Sequence, residues 1–244
     1  MSENIYDNPD FFNSYSQMER SKKGLEAAGE WHTLKEMLPD FTGKRVLDLG
    51  CGYGWHSVYA AEQGATSVTG VDISEKMLQV ARAQTNLEAV EYLHEDIEKV
   101  RFEKDSFDIV ISSLAFHYVE KFDELVKKVH HFLKANGTFI FSIEHPVFTA
   151  EGSQDFIYDE DGNIVSFPVD HYFDSGKRMV HFLGQDMTKY HRTITQYFES
   201  LRQNGFRVDQ LKEPTPGEEM QDIPGMRDEF RRPMMLIFSA TNTK

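Results

Sequence analysis

Residues 46–54 read VLDLGCGYG and are the most informative segment of the chain. A short apolar run ends here in three closely spaced glycines, and small or apolar residues follow from Ser57 to Ala61. This pattern is typical of a buried parallel strand that turns sharply into a helix. Because glycine has no side chain, a ligand can approach the bare backbone at this turn.

The charge of the chain limits its partners. The 244 residues carry a formal net charge of −14, and the sequence pI is about 5.1. A protein that grips nucleic acid through its whole surface needs clustered Lys and Arg, so we expect no general nucleic-acid binding. The length favours one α/β domain with an insertion over two ordinary domains.

The cysteine content and the apolar runs indicate the cellular setting. Cys51 is the single cysteine and lies inside the glycine loop, so the sequence offers no disulfide framework. No apolar stretch approaches the roughly 18 residues that a membrane helix requires. We therefore expect a cytoplasmic protein without membrane insertion or targeting segment.

Strand-like and helix-like segments alternate beyond the glycine loop, which predicts βαβ units and a parallel sheet. Predicted strands after the first are 67–71, 90–93, 107–111, 138–143, 206–211 and 234–240, and predicted helices are 75–83 and 122–133. Asn136–Gly137 is the expected stop signal of the second helix. A capping box at 193–196 predicts a further helix that ends at Asn204–Gly205.

The flanking segments predict a cover for the ligand. Aromatic and basic residues open the chain, and apolar residues then follow at helical spacing, so we expect a loose lead-in and one amphipathic helix over 25–38. Turn clusters between short aromatic runs predict a small antiparallel insertion. The predicted organisation is an N-terminal lid and flanking helix at 1–42, a cofactor-binding core at 43–146, a substrate-covering insertion at 147–192, and a closing helix with two strands at 193–244.

An acidic residue follows the second strand about twenty residues beyond the loop, where it can accept both ribose hydroxyls of a nucleoside. Asp72 is that residue. The loop differs from the Gly-x-Gly-x-x-Gly of dinucleotide enzymes because Trp55 takes the place of the third glycine. An indole there disfavours a diphosphate and a nicotinamide-dependent oxidoreductase, and it is compatible with a nucleoside whose carboxylate meets the loop amides.

With these residues, the chain resembles the class I S-adenosylmethionine-dependent methyltransferases, particularly their small-molecule, type-11-like branch. The matching stretches are 46–54, 70–78, 94–97 and 107–117, and the resemblance covers roughly residues 43–145 with the closing helix and strand pair. It implies a Rossmann-like seven-stranded α/β sheet, mostly parallel with one antiparallel strand, with helices on both faces. It also implies S-adenosyl-L-methionine as the cofactor.

The resemblance implies a set of cofactor-binding residues. Asp48 would organise the loop, Asp72 would bind the ribose, and Asp96 with the Ile97 amide would recognise the adenine edge. Ile73 and Met77 would flank adenine or belong to the core, and Tyr15 and Arg20 would cover the ligand or lie on an ordinary surface. The complete predicted set is Tyr15, Arg20, Asp48, Gly50, Cys51, Gly52, Gly54, Asp72, Ile73, Met77, Asp96, Ile97, Ser112, Ser113 and Leu114.

Methyl transfer from a sulfonium needs mainly in-line positioning and desolvation, and a general base only if the acceptor must lose a proton. His117, after the fourth strand, and His145, after the fifth, are the candidate catalytic residues. Each could equally be a hydrogen-bonded wall of the site. The histidines show no paired spacing with a third ligand, so we expect no catalytic metal.

We therefore predict a methyltransferase that acts on a small-molecule acceptor. The alternatives are methylation of a macromolecule such as tRNA or protein, and a module that binds S-adenosylmethionine or S-adenosylhomocysteine without turnover. The acidic charge disfavours tRNA. The sequence does not indicate which atom of the acceptor is methylated or the oligomeric state.

Replacing the predicted ribose ligand tests the cofactor assignment. Asp72→Ala should weaken S-adenosylmethionine binding by on the order of 1–3 kcal/mol, because charge-assisted hydrogen bonds are lost. Calorimetric titration measures this affinity directly. An unchanged affinity would contradict the assignment of Asp72 to the ribose.

Overall fold

A mixed sheet organises the computed structural model, which describes residues 4–223 and 225–244. The strands are β1 (Arg45–Leu49), β2 (Ser67–Asp72), β3 (Val90–His94), β4 (Phe107–Ser113), β5 (Leu133–Glu144), β6 (Ile157–Tyr158), β7 (Ile164–Ser166), β8 (Gly176–Phe182), β9 (Gln185–His191), β10 (Phe206–Lys212) and β11 (Met235–Asn242). The helices are α1 (Pro9–Ser16), α2 (Glu19–Lys23), α3 (Trp31–Met37), α4 (Trp55–Glu62), α5 (Glu75–Gln84), α6 (Phe122–Phe132), α7 (Pro146–Thr149) and α8 (Ile194–Gln203).

The large sheet has seven strands in the order β10-β11-β5-β4-β1-β2-β3. Strand β11 runs antiparallel to both neighbours, and the pairings among β1 to β5 are parallel. Two small antiparallel pairs, β6 with β7 and β8 with β9, lie between β5 and α8 along the chain. The predicted Rossmann-like fold is confirmed.

The strand order reverses between β1 and β4. From β1 the chain continues to β2 and β3 on one side, and it then crosses to β4 and β5 on the other. Asp48 of β1 pairs with Gly70 of β2 and with Ile111 of β4. In open sheets of this kind the ligand lies beyond the carboxyl ends of the strands at such a reversal.

Helices bury both faces of the sheet. On one face, Phe122 of α6 and Tyr197 of α8 pack with Phe139 of β5 in an aromatic cluster. On the other face, Trp31 of α3 and Ala60 of α4 pack around strand residues that include Val46. The continuous apolar runs of the strands follow from this burial on both faces.

The N-terminal region differs from the prediction. The loose lead-in contains α1 and α2, and the continuous helix expected over 25–38 is instead a 3-10 turn at Gly24–Ala27 followed by the shorter α3. Gly24 adopts a positive φ of 67°, and a Cβ there would lie 2.9 Å from the Trp55 ring. Gly24 therefore ends α2 in a conformation that glycine alone fits, and the expected helix is interrupted further on, at the extended residue Ala28.

Strand β5 begins earlier than predicted. The Asn136–Gly137 pair, expected to stop the preceding helix, lies inside β5, because α6 ends at Phe132 and the strand starts at Leu133. Asn136 has a positive φ of 59°, a conformation that asparagine tolerates better than most residues. Asn136 therefore adopts the positive φ that the sequence indicates, but it lies within a strand and does not mark the end of a helix.

The buried Asp48 should give the protein a distinct pH dependence. Burial raises the pKa of Asp48 to about 7, although a hydrogen bond from Ser57 Oγ at 2.7 Å opposes the shift. The folded state therefore holds the proton more tightly than the unfolded chain, so this stabilisation is complete below about pH 4 and is lost as pH rises through 7.

Asp48→Asn keeps an oxygen that can accept from Ser57 and removes the titration. Between about pH 4 and 8 the free energy of unfolding should fall less in this variant than in the wild type, by on the order of 2–4 kcal/mol. Urea unfolding across this range measures both curves. Parallel curves would show that Asp48 does not titrate in the folded state.

Candidate functional site

A cavity of ≈ 590 Å³ lies beyond the carboxyl ends of β1, β2, β4 and β5. A recess of ≈ 70 Å³ adjoins it, and Tyr15, Arg20, Gly50 and Gly52 line both spaces. The cavity thus occupies the position where the reversed strand order opens the sheet, and the glycine loop forms one of its walls.

The glycine loop has the backbone conformation that its sequence predicts. Gly50, Gly52 and Gly54 all have positive φ, and a Cβ on Gly50 would lie 2.4 Å from Cβ of Ala115. The N–H groups of Gly50 and Cys51 donate to the Val71 carbonyl, which fixes the loop on β2. Burial raises the pKa of the Cys51 thiol well above its ordinary value, so the thiol stays protonated.

Asp72 joins the end of β2 to the loop. Its Oδ2 accepts from the Gly52 N–H at 2.8 Å, and its Oδ1 accepts from the Ser74 N–H at 2.9 Å. Burial raises the pKa of Asp72, and these two N–H donors oppose that shift. The carboxylate lines the cavity, and each oxygen keeps a lone pair for a further donor.

Four more predicted residues lie on the same side of the cavity: Ile73, Met77, Asp96 and Ile97. The Asp96 carboxylate is buried, accepts from the Glu98 N–H at 2.9 Å, and lies 3.0 Å from Lys99 Nζ. Three apolar side chains therefore border the cavity together with the two acids Asp72 and Asp96.

A polar cluster that sequence reasoning missed lies where α2 and α3 meet the end of β4. Glu30 is 1% exposed, and its Oε1 lies 3.3 Å from both Arg20 Nη2 and Ser113 Oγ. Its other oxygen, Oε2, is buried and has no hydrogen-bond partner among the described residues, and the same is true of Trp55 Nε1. Buried polar atoms are rarely left unpaired, so both atoms are candidate contacts of a polar ligand group, and Trp55 lines the recess.

His117 follows β4, on the other side of β1 from Asp72 of β2, and it lines the cavity and is 2% exposed. Its Nδ1 accepts from the Glu144 N–H at 3.4 Å, and its Nε2 lies 3.9 Å from Glu144 Oε1. Burial lowers the pKa of His117 to about 4, so the ring is neutral at physiological pH. Since Nδ1 is the acceptor, the ring proton resides on Nε2, which leaves that nitrogen a donor rather than a base.

Glu144 belongs to a buried charge pair. Lys189 Nζ lies 2.5 Å from Glu144 Oε1 and 2.9 Å from Gln154 Oε1, while Gln154 Nε2 donates to Glu144 Oε2 at 2.9 Å. Burial alone would raise the pKa of Glu144, but His117 and Lys189 outweigh it and lower the pKa. The Glu144 carboxylate is therefore ionised and faces the cavity.

Lys189 has a faint signal in the sequence. Alternate residues of β9, namely Met187, Lys189 and His191, are all buried, so a lysine stands in the inward-facing row of a strand. A charged residue in such a row predicts a buried partner. The partner itself, Glu144, lies 45 residues away in the chain and has no local signal.

Four predicted residues do not line the cavity or the recess. His145 caps α7 by accepting from the Val147 N–H at 3.0 Å, and its Nε2 lies 2.9 Å from Glu213 Oε1. This placement argues against the catalytic role predicted for His145. Ser112 Oγ donates to the Leu49 carbonyl, Asp48 accepts from Ser57, and a Cβ on Gly54 would collide with the Tyr92 hydroxyl. These three residues support the loop and the strands from behind.

The connection between β10 and β11 also reaches the cavity. Its lining residues were not anticipated, since the segment is acidic and rich in proline and glycine: Pro214, Thr215, Pro216, Met220, Met226 and Glu229. Methionine within a polar connection is the signal that could have indicated this role, because Met fills irregular apolar gaps.

Neither a membrane helix nor a metal site is found in the described part of the chain. No helix within 4–223 or 225–244 is long and apolar enough to cross a membrane. The same residues contain no group of three or more His, Cys, Asp or Glu side chains that could hold a metal ion.

Comparison with known proteins identifies the class. Residues 47–141 match a family described as a methyltransferase domain. A solved S-adenosylmethionine dependent methyltransferase from Mesorhizobium loti is 39% identical, with 89% of this chain and 100% of that chain covered and a TM-score of 0.83. A solved chain from Listeria monocytogenes, assigned to the same class, is 54% identical, with 91% and 100% covered and a TM-score of 0.87.

A third relative has a named substrate. Malonyl-[acyl-carrier protein] O-methyltransferase of Bacillus cereus is 28% identical over 171 residues, which span 69% of this chain and 63% of that protein. The relatives and the fold agree on one class, that of enzymes that use S-adenosylmethionine. The chain belongs to the class I S-adenosylmethionine-dependent methyltransferases, in the type-11 branch, and the identification from its motifs is confirmed.

The state of His117 can be measured without a ligand. Its ring nitrogens should not titrate until about pH 4, whereas histidine in the urea-unfolded chain titrates near about pH 6.5. Long-range ¹H–¹⁵N spectra of the ring report both the charge and the tautomer. A proton on Nδ1, or titration near pH 6.5 in the folded protein, would contradict the hydrogen-bond geometry.

Proposed function

We propose that the cavity binds S-adenosylmethionine on the side of Asp72 and Asp96 and a small-molecule acceptor on the side of His117 and Glu144. The observation that carries this proposal is that one cavity of ≈ 590 Å³ is lined by both sets of residues. Its volume lies within the range of roughly 300–1,000 Å³ that is usual for small-ligand sites.

The unpaired buried atoms support a site for the methionine part of the cofactor. The Arg20 guanidinium would hold the carboxylate, and Glu30 Oε2, which lacks a partner, would accept from the ammonium group. The N–H groups of the glycine loop would contribute further donors. Asp72 would accept from the ribose hydroxyls, and Asp96 would lie at adenine.

The bound cofactor supplies a methyl group already activated on a sulfonium. The residues of this chain would therefore act mainly by positioning the acceptor and excluding water. Tyr6 and Tyr15 from the N-terminal segment, and Phe148 and Phe182 from residues 147–192, line the cavity as apolar walls. This supports a covering role for both segments, and Pro214, Met220 and Met226 of the connection between β10 and β11 share it.

A cavity with apolar walls favours a small acceptor over a macromolecule. The lining includes Met220, Met226, Met234 and Met235, and the net charge of −14 opposes binding of RNA. Relatives named for a fatty acid and for a malonyl group on an acyl-carrier protein support an alkyl or acyl body for the acceptor, whatever its reacting group.

Glu30→Gln tests the methionine site. The variant should bind S-adenosylmethionine about tenfold more weakly, because a charge-assisted hydrogen bond to the ammonium group becomes a neutral one. The matched control is Glu26→Gln, which lies on an exposed position of the same segment and should bind like the wild type. Calorimetry measures both, and equal affinities would remove Glu30 from the cofactor site.

The acceptor class is tested by turnover on cell extract separated by size. S-adenosylhomocysteine should form with the small-metabolite fraction and not with the macromolecular fraction. Turnover with the macromolecular fraction alone would assign a macromolecular acceptor. Tight cofactor binding without turnover on either fraction would instead favour a cofactor-sensing module.

A further inference from the structure

We propose, building on the function proposed above, that the acceptor is a neutral, largely apolar molecule that presents a hydroxyl group between His117 Nε2 and Glu144 Oε1 and is methylated on that oxygen. The two protein atoms lie 3.9 Å apart, too far for a direct hydrogen bond and suited to a group that contacts both. Both residues line the cavity.

The two atoms have opposite hydrogen-bonding roles. His117 Nε2 carries the ring proton, because Nδ1 accepts from the Glu144 N–H, so Nε2 can only donate. The ionised Glu144 carboxylate can only accept. A ligand group that bridges them must accept one hydrogen bond and donate another, which a hydroxyl does. A carboxylate cannot donate, and an ammonium cannot accept.

The charges around the bridge also select a neutral group. Glu144 is already balanced by Lys189 at 2.5 Å, and His117 is neutral. Because this pair is already balanced, the site has no uncompensated charge that would hold an acceptor carboxylate or ammonium. The Tyr118 hydroxyl, which also borders the cavity, is engaged with the Tyr6 hydroxyl at 3.2 Å.

The residues that line the cavity indicate the chemical nature of the rest of the acceptor. Tyr118, Phe148 and Phe182 line the cavity with the methionines of the connection and of β11. These surfaces are apolar and partly aromatic, so they suit an alkyl or aromatic body rather than a sugar or a phosphate.

The bonds and the proton of the methyl-transfer step can all be accounted for with these residues and the sulfonium. The hydroxyl oxygen forms a C–O bond with the methyl carbon while the C–S bond of the sulfonium breaks, and the electron pair of that bond stays on sulfur. The hydroxyl proton passes to Glu144 Oε1. A carboxylate of low pKa suffices, because an oxygen that is gaining a methyl group becomes a strong acid as the bond forms.

Binding of matched probes tests the inference without turnover. The protein loaded with S-adenosylhomocysteine is titrated with 4-propylphenol, propylbenzene and 4-propylbenzoate while the ring ¹⁵N signals of His117 are recorded. The phenol should bind about tenfold more tightly than either other probe, as one hydrogen-bonded group predicts, and should shift the Nε2 resonance.

Two variants localise the preference. In Glu144→Gln and His117→Phe the advantage of the phenol over propylbenzene should fall below about threefold. The controls Glu160→Gln and His181→Phe make the same changes at exposed positions and should keep the full preference. Loading with S-adenosylhomocysteine and thermal unfolding verify that each variant is folded.

Several results would overturn the inference. They are equal binding of phenol and propylbenzene, tighter binding of the benzoate, or no binding of any probe to the loaded wild-type protein. Because the comparison of the three probes uses the wild-type protein, it tests the inference even if a variant does not fold. Failure of the protein to load S-adenosylhomocysteine would count against the cofactor site, so the two proposals fail in different steps.

Discussion

The Asp72 carboxylate is the interaction on which the site depends. One oxygen holds the glycine loop through Gly52, and the other holds the start of α5 through Ser74. Ser74 in turn caps α5 and donates to Asp7 of the N-terminal segment. The Asp72 side chain thus fixes the relative positions of the loop and α5, and Ser74 connects them to the N-terminal segment. All three elements border the cavity.

The cavity combines two kinds of polar environment. Around Lys189 and Glu144 the buried polar atoms satisfy one another through Gln154, so that side is preorganised before any ligand arrives. Around Glu30, buried polar atoms have no hydrogen-bond partner in the described part of the chain. Their desolvation lowers the stability of the fold until a ligand supplies the missing hydrogen-bonding groups. This contrast is consistent with binding of a charged ligand group beside Glu30 and orientation of a neutral group beside Glu144.

The sequence predicted the sheet well because its strands are buried on both faces and therefore appear as continuous apolar runs, such as Ile109–Ile111. It predicted the lining acids Asp72 and Asp96 because Asp72 stands at the end of a strand and Asp96 lies in a motif of the family that the chain resembles. It failed where the cause is a contact between distant residues. Glu30, Lys189 and Gln154 acquire their roles from partners far away in the chain.

Trp55 carries two constraints that cannot be separated. Its indole stands where a dinucleotide-binding loop has glycine, and the same ring lies against Gly24, where a Cβ would come within 2.9 Å of it. Exchanging Trp55 for glycine would open space for a diphosphate and would at once remove the docking surface of the N-terminal segment. The choice of cofactor and the packing of the N-terminal segment therefore depend on the same residue. A change from one cofactor class to the other during evolution would require both to change.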